Sequence, residues 1–507
     1  MSSKSDNNKR IAKNTLLLYI RMGVMMAINL YTSRVILNAL GVVDYGLFNV
    51  VGGLVIMFSV LSKSLTNSIS RYLTFELGKG ETIRLKEMFS SALVIQFILC
   101  VIILVFAETI GLWFLNAKMT IPIERASAVQ WVYQIAILSF LIGLISVPFN
   151  AIIVAHERMS AFAYISVIDA FLKLIIAFLI YVSPMDKLVF YAFLILLETI
   201  FQNFIYWVYC KRNFIECSFR LKFNKGLVKE MANFAGWNFF GTLSSSLRLQ
   251  GVDVVINIFF GPTVNAAKGI ATSVNSAVNG FVTNMMMAVN PQIIKSYSSG
   301  DREYMMNLIN QSARYSFYLL FLLALPVILN TDYILHLWLG FTPSYSVRFI
   351  QFVLLLTMIE ALSNPLETGM MATGNIRNYQ IIIGFLQILN LPLCYLMFKI
   401  GFGPEIVYII ACLITFVCLF VRWIMLKPYG FSVSAYIRNV LSNIFFVGLV
   451  ALPIPIFFHL YLSRSFIGLF ANILACVCFT CLSILFVGCT REERNFIFSR
   501  FKNKVLC

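Results

Sequence analysis

Charged residues are scarce in this sequence. Of its 507 residues only 12% are charged, whereas 60% are hydrophobic, and the mean hydropathy is +0.85. A water-soluble protein of this length needs a far more polar surface, so the composition excludes that class and indicates a polytopic membrane protein. The apolar runs are continuous rather than alternating, which predicts helices instead of a transmembrane β-barrel.

Several chemical motifs are also missing. No G-x-x-x-x-G-K-[ST] loop occurs, and the polar connections are too short for a soluble ATPase domain, so ATP-driven transport is not expected. The three histidines are scattered and form no ligand cluster. Cys476, Cys478 and Cys481 fall inside an apolar run, where they are expected to be packing residues, so we predict neither a metal site nor a disulfide framework.

Long apolar runs dominate what is present. A bilayer core requires about 20 mainly apolar residues per helix. Reading runs of that length predicts an all-α membrane protein with about fourteen transmembrane spans, at approximately 14–39, 46–73, 88–113, 128–154, 160–183, 187–210, 231–260, 266–293, 312–330, 347–371, 378–400, 405–426, 438–460 and 466–488.

The net charge of +17 is distributed as a topology signal. Most Lys and Arg residues fall in the segments that an even number of spans places on the same side as both termini, and that side is therefore predicted to be cytoplasmic. The first apolar run is too long for a cleaved signal peptide and is expected to remain as the first span. Because the basic residues follow the membrane topology, we expect no nucleic-acid partner.

Weak internal similarity indicates a duplication. At an offset of 220, VILNALG (35–41) matches VINIFFG (255–261), and a later pair of segments, 148–164 and 365–381, matches at 217. The predicted organisation is an N-terminal six-helix lobe (1–210), a basic cytoplasmic linker (211–230), a C-terminal six-helix lobe (231–427), and two further spans with a basic tail (428–507). Parallel repeats of this kind favour alternating access at their interface.

Polar side chains recur at helical spacing inside three spans. In span 2, Ser59, Lys63, Asn67 and Arg71 repeat every four residues and so share one stripe. Spans 7 and 8 carry similar stripes, which do not suit lipid and are expected to face a bundle or a wet cavity. Ordinary interhelical hydrogen bonding is the competing interpretation for the hydroxyls and amides.

Intramembrane cations are harder to explain by packing alone. Arg34 and Arg71 lie near span ends and could extend to the interface, but Arg21, Lys63 and Arg248 look deeper. Spans 1 and 2 contain no deep acid, and this surplus of positive charge favours an anionic substrate, phosphate suiting arginine best. The predicted substrate-binding residues are Arg21, Arg34, Lys63, Asn67, Arg71, Arg248, Asn275 and Asn279.

Deep acids are few. Asp169 and Lys173 are spaced i and i+4 and could pair with each other. No cofactor is expected beyond a coupling ion, Na⁺ or H⁺, and its candidate ligands are Asp169, Glu198 and Glu360. A structural role for each of these acids remains open.

The opening segment resembles a known family. NTLLLYIRM, TSRVILNALGVVDYGLFNVVGGL and SISRYLTFELGKG, with the LG-x-x-x-YG turn at 40–46, are similar to polysaccharide flippases of the Wzx type, in the multidrug/oligosaccharidyl-lipid/polysaccharide (MOP) exporter superfamily. The resemblance implies a MATE-like fold of two six-helix lobes plus two C-terminal helices. It also implies that the chain lies in the bacterial inner membrane and moves undecaprenyl-diphosphate-linked oligosaccharide from the cytoplasmic to the periplasmic leaflet, for O-antigen, capsule or exopolysaccharide assembly. The implied partners are this lipid-linked oligosaccharide, membrane lipid, and a polysaccharide polymerase and chain-length proteins, and Arg21, Arg34 and Arg248 match the family's cavity arginines.

Two alternatives remain. A cation-coupled multidrug exporter of the same superfamily would share the fold, but such proteins use an acid in the N-terminal lobe, and span 1 has arginines instead. A membrane oligosaccharide polymerase or glycosyltransferase usually needs a large catalytic loop. The longest outer connections, near 114–127 and 331–346, are small and lack a carboxylate–histidine constellation, so the sequence favours a transporter over an enzyme.

Overall fold

The structure is a computed structural model that describes residues 4–57, 59–79, 82–118, 122–217, 225–260, 262–339, 342–461, 465–491 and 493–495. Within these ranges the chain is almost entirely helical and contains no β-strand. The prediction of an all-α protein is therefore confirmed.

The described residues form twenty α-helices, several of which are extended by short 3₁₀ or π-helical turns. Their bounds are α1 Lys4–Met57, α2 Ser59–Lys79, α3 Thr82–Phe106, α4 Leu112–Lys118, α5 Ala126–Ile145, α6 Val147–Ala155, α7 Met159–Leu179, α8 Lys187–Asn213, α9 Lys225–Phe260, α10 Pro262–Ser298, α11 Arg302–Leu329, α12 Thr331–Leu339, α13 Ser346–Thr373, α14 Arg377–Ile388, α15 Asn390–Ile400, α16 Ile406–Leu426, α17 Val433–Tyr436, α18 Ser442–Ala451, α19 Pro453–Tyr461 and α20 Phe466–Ser483.

These helices account for the predicted spans. Ten helical stretches of the described residues are long and apolar enough to cross a membrane, and they coincide with predicted spans 3 to 6 and 9 to 14. The remaining four predicted spans lie within α1, α2, α9 and α10. The count of about fourteen spans therefore agrees with the helices, although several spans consist of two helices in succession.

The boundary between the first two spans is a single residue. Gly41 has φ 80° and ψ 167°, which no helix accommodates, while the residues on either side continue as helix. Glycine reaches positive φ without the steric cost of a Cβ. The predicted outer turn over 40–46 is thus shorter than expected, with the break at Gly41 and helix resuming directly after it.

Proline divides the fourth span. Pro148 has no N–H to donate to the carbonyl of Leu144, and the helix is interrupted at Ser146 between α5 and α6. The side-chain amide of Gln96 in α3 donates to that carbonyl at 3.0 Å. This bond satisfies a backbone group that would otherwise be unpaired at membrane depth.

The chain divides into two compact units. Unit 1 comprises Met1–Leu243 with Tyr297–Ser299, and unit 2 comprises Ser244–Ser296 with Gly300–Cys507. Helix α9 passes from unit 1 to unit 2 at Leu243, so unit 1 extends beyond the predicted linker at 211–230. The predicted four-part division otherwise stays a prediction.

Each unit has its own core. In unit 1, Tyr133 of α5 is fully buried among the apolar side chains of α1 and α5 and donates its hydroxyl to the carbonyl of Ala107 at 2.8 Å. In unit 2, the C-terminal helices pack against the rest through buried hydrogen bonds, such as Tyr436 to the carbonyl of Leu362 at 2.8 Å. The two spans that follow the duplication are therefore integral to unit 2.

Candidate functional site

Arg21 is the most distinctive cation of unit 1. Its guanidinium carbon lies 4.5 Å from the ring centroid of Phe162 in α7. Its Nε is buried and makes no hydrogen bond, and no carboxylate oxygen of the described residues lies within 4.0 Å of the guanidinium. Tyr206 of α8 lies near the guanidinium. One face of the cation is therefore covered by a ring, while its N–H groups are available to an anion.

A buried carboxyl pair lies in α7 and α8 of the same unit. Asp169 and Glu198 are each only 6% exposed and lie near one another. The Lys173 ammonium lies 2.9 Å from Asp169 Oδ2, so the predicted i, i+4 pair forms. Lys173 thus pairs with Asp169, and Glu198 is a second buried carboxyl group close to this ion pair.

Arg71 is enclosed by aromatic rings. Its guanidinium carbon lies 4.5 Å from the centroid of Tyr72, 4.9 Å from Phe75 and 5.2 Å from Phe234, and the residue is 6% exposed. Glu230 lies near Tyr72. This aromatic enclosure joins α2 to the first half of α9 within unit 1.

The remaining predicted residues of unit 1 are Asn67, Arg34 and Lys63. Asn67 of α2 is exposed. Arg34 and Lys63 lie in helices, but their side chains fall outside the described part of the structure. A substrate role for Arg34, Lys63, Asn67 and Arg71 stays a prediction.

In unit 2 the predicted cation is already paired. Arg248 of α9 lies 3.0 Å from Glu360 of α13, a residue predicted as a coupling acid. Lys268 of α10 lies 2.6 Å from Asp253 and also donates to the carbonyl of Leu249 at 3.2 Å. The substrate role of Arg248 and the coupling role of Glu360 stay predictions, but their charges neutralise each other in this structure.

The two predicted asparagines lie along α10. Asn275 accepts a hydrogen bond from the Thr357 hydroxyl at 2.6 Å, and Asn279 is half-buried. The first therefore contributes to packing between α10 and α13, as the competing interpretation of the polar stripes proposes.

Two buried arginines of unit 2 were not singled out by the sequence. Arg422 of α16 is 6% exposed and donates to the Tyr379 hydroxyl at 3.0 Å and to Glu367 at 3.2 Å. Arg314 of α11 is 4% exposed and pairs with Glu493. Both arginines lie near the ends of predicted spans, where a basic residue is expected from the topology alone. Their partners come from other helices, so no local spacing signals them.

A cluster of charges around Arg125 was also missed. Arg125, which precedes α5, donates to Asp44 through Nε at 2.8 Å and also bonds to Asp186, which caps α8. Burial raises the pKa of the Asp186 carboxyl, but the hydrogen bonds from Arg125 and from the N–H of Val189 outweigh it and hold that pKa below its ordinary value. In unit 2, Arg348 and Glu405 form the corresponding pair at 2.9 Å, between the starts of α13 and α16.

A second cluster, at the opposite end of α8, joins His156 to Glu216. The His156 Nε2 contacts a Glu216 carboxylate oxygen, and the imidazole ring stacks on Phe214 with centroids 4.4 Å apart. Burial raises the pKa of Glu216, yet its hydrogen bond with His156 holds the pKa below its ordinary value. Among the described residues, no group of three or more His, Cys, Asp or Glu side chains could hold a metal ion.

Comparison with known proteins gives two family matches. The profile of a family described as "Polysaccharide biosynthesis protein" matches residues 11–297, and that of a family described as "MatE" matches residues 243–396. The "uncharacterized membrane protein EpsK" of Bacillus subtilis (strain 168) is 20% identical over 323 residues. That alignment covers 63% of this chain and 63% of EpsK, so it spans less than two thirds of the relative.

Solved structures with a similar fold are MATE transporters. A crystal structure of a MATE protein in the bent conformation has a TM-score of 0.72 at 15% identity and covers 86% of this chain and 97% of its own. An outward-facing multidrug resistance MATE family transporter of the MOP superfamily has a TM-score of 0.70 at 14% identity, covering 84% and 97%. A MOP superfamily transporter from Pyrococcus furiosus Vc1 (DSM3638), described by the reverse polarity of its binding pocket, has 0.69 at 15%, covering 85% and 96%. At these identities the likeness shows the fold.

Proposed function

Because the chain belongs to the polysaccharide biosynthesis protein family and has the fold of MOP-superfamily transporters, we propose that it is a lipid-linked oligosaccharide flippase. The proposed cargo is an undecaprenyl-diphosphate-linked oligosaccharide, which moves from the cytoplasmic to the periplasmic leaflet of a bacterial inner membrane by alternating access. Both termini are proposed to be cytoplasmic, in keeping with the distribution of Lys and Arg. The products would supply O-antigen, capsule or exopolysaccharide assembly, with a polymerase and chain-length proteins acting afterwards.

One observation carries this proposal: among the described residues, Arg21 has no anionic partner. A half-buried guanidinium loses part of its hydration, and without a carboxylate to compensate it gains most from an incoming anion. Its planar fork matches the oxygens of a phosphate group. The Phe162 ring covers one face of the cation, leaving the N–H edges to the diphosphate.

The carboxyl pair supports proton coupling. Asp169 and Glu198 are buried carboxyl groups on the neighbouring helices α7 and α8, and buried carboxyl groups inside a membrane protein are suited to carry a proton during transport. We therefore propose H⁺ rather than Na⁺ as the coupling ion, with Asp169 and Glu198 as the groups that carry the proton.

The two buried carboxyl groups, Asp169 and Glu198, would also suit a second function. A cation-coupled multidrug exporter would use buried acids in its N-terminal unit, and Asp169 and Glu198 meet that description. Such an exporter binds cationic cargo, which the charge of Arg21 would repel. Whether the substrate is an anion or a cation therefore distinguishes the two functions.

The test measures binding of undecaprenyl diphosphate to the full chain in nanodiscs. Arg21→Gln should weaken binding by more than about tenfold, because a charge-assisted hydrogen bond contributes about 1.5–3 kcal/mol. The matched control is Arg212→Gln, which removes the same charge from an exposed position in the last turn of α8 and should leave the affinity unchanged.

Thermal unfolding of each variant verifies that it folds. Equal affinity of wild type and Arg21→Gln would contradict the proposal. Saturable binding of a cationic dye that competes with a proton gradient, with no binding of the diphosphate, would favour the multidrug exporter.

A further inference from the structure

A cavity lined by several polar and several apolar side chains lies within unit 2, and none of the predicted site residues lines it. It has a volume of about 180 Å³ and is formed by four helix ends: the junction of α11 and α12, the start of α13, the end of α19 and the start of α20. The predicted topology places all four of these ends on the outer side of the membrane. Because α19 and α20 belong to the last two spans, the cavity exists only where these spans join the duplicated bundle.

Amide side chains are fixed in its wall. Asn330 uses both amide hydrogens, donating to the carbonyl of Pro326 and to Oδ1 of Asn472, each at 2.9 Å. Asn472 is 1% exposed and donates to the carbonyl of Pro455 at 3.0 Å. This chain of hydrogen bonds sets the orientation of both amides before any ligand arrives.

Two amide oxygens of the cavity remain to be satisfied. The side-chain amide of Gln351 donates a hydrogen bond to the carbonyl of Ile328 at 3.0 Å. Among the described residues none donates to Oδ1 of Asn330 or to Oε1 of Gln351. Each oxygen can accept two hydrogen bonds, so a ligand that supplies several O–H or N–H donors is favoured.

The rest of the lining narrows the class of ligand. Asp332 adds a carboxylate and His459 an imidazole, while Tyr333 and Phe458 contribute aromatic rings. A cavity of 180 Å³ has room for about six water molecules at liquid density. A bare cation is far smaller than this, and a polyprenyl diphosphate is far larger.

We propose that this cavity is a saccharide site, which binds one pyranose ring of a glycan. Ring hydroxyls would donate to Asn330, Gln351 and Asp332, and the apolar face of the sugar would pack against Tyr333 or Phe458. Identification of the ligand as a sugar rests on the proposed function. The cavity is distinct from the diphosphate site at Arg21 and would hold the glycan after it reaches the outer leaflet.

Binding of free sugars to the full chain in nanodiscs tests this proposal. Saturation-transfer difference NMR would be recorded with D-glucose, D-galactose and N-acetyl-D-glucosamine as probes. At least one probe should bind, and Gln351→Leu should weaken its binding by about fivefold, the effect of one neutral hydrogen bond. Val347→Phe, which places a larger side chain in the cavity, should weaken binding further.

The matched control is Gln134→Leu, the same substitution at an exposed position of unit 1, which should bind the sugar as wild type does. Adding lipid-linked oligosaccharide identifies the source of the sugar: displacement of the probe assigns the site to the cargo, and its persistence assigns the site to a glycan already detached from its lipid. Absence of any signal sensitive to both Gln351→Leu and Val347→Phe overturns the proposal. Because diphosphate affinity depends on Arg21 and not on this cavity, failure here leaves the proposed function intact.

Discussion

The two units treat buried positive charge differently. In unit 2, arginines and lysines within the helices meet carboxylates: Arg248 meets Glu360, Lys268 meets Asp253, and Arg422 meets Glu367. In unit 1, Arg21 lies over the ring of Phe162 and has no described carboxylate within 4.0 Å.

The paired cations of unit 2 stabilise the fold, whereas Arg21 is available to bind a ligand. A buried cation without its counter-ion is costly, so each pair of unit 2 ties two helices together. Arg21 makes no comparable link to any described carboxylate, and its cost is offset only in part by the ring. We infer that unit 2 uses its cations mainly for structure, whereas unit 1 reserves one for function.

The largest expected effect concerns the carboxyl pair. Glu198→Gln removes one of the two carboxyl groups proposed to carry the coupling proton, so flipping of lipid-linked oligosaccharide in proteoliposomes should no longer respond to an imposed pH gradient. Glu360→Gln is the same change in unit 2, where the carboxylate holds Arg248. That variant should transport more slowly but keep its response to the gradient, and a full response in Glu198→Gln would contradict proton coupling at the pair.

A second prediction compares the stability lost when a paired cation loses its counter-ion with the stability lost when Arg21 is replaced. Glu493→Ala leaves Arg314 buried without its counter-ion and should lower the free energy of unfolding by about 3 kcal/mol. Arg21→Met removes a cation that has no such partner in the described part of the chain, so its unfolding free energy should change by less than about 1 kcal/mol. Denaturant unfolding of the full chain in detergent measures both, and equal losses would show that Arg21 is structural after all.

The smallest expected effect is a difference in stability between variants of two ion-pairing residues, Arg125 and Arg348. Arg125 holds two carboxylates and is 25% exposed, whereas Arg348 holds one and is 71% exposed. Arg125→Ala should therefore cost about 1 kcal/mol and Arg348→Ala less than about 0.5 kcal/mol. Thermal unfolding of the two variants side by side tests this order, which equal shifts would contradict.

The same cluster predicts a pH dependence. The pKa of Asp186 is lower in the folded state, so its contribution to stability is present above the unfolded-state pKa and is lost as the pH falls through the folded-state pKa. The destabilisation caused by Arg125→Ala should thus be full at pH 7 and should shrink below about pH 4. A difference from wild type that stays constant down to pH 3 would place the effect of Arg125 elsewhere.

Local patterns proved sufficient for the helices and for one ion pair. Hydropathy located the spans because a bilayer obliges the backbone to form its hydrogen bonds within each segment. The pairing of Asp169 with Lys173 followed from i, i+4 spacing on one helix. Gly41 marked a break because its conformation is open to glycine.

Local sequence patterns could not predict contacts between residues far apart in the chain. Arg248 and Glu360 are separated by 112 residues, and Arg314 and Glu493 by 179. Arg314 and Arg422 lie near the ends of predicted spans, where the sequence indicates only a topology signal, but both are buried against acids from other helices. The saccharide cavity likewise requires four helix ends that are distant in sequence.

The sequence by itself therefore determined an all-helical membrane protein with about fourteen spans and an excess of positive charge, because these properties depend on composition and local periodicity. Only the tertiary structure decided which cations are neutralised and which remain for a ligand. An ion pair depends on a separation of a few ångströms between side chains, and that distance exists only after the helices have packed. Of the two deep arginines whose side chains could be compared, Arg248 has a carboxylate partner, and Arg21 has none among the described residues.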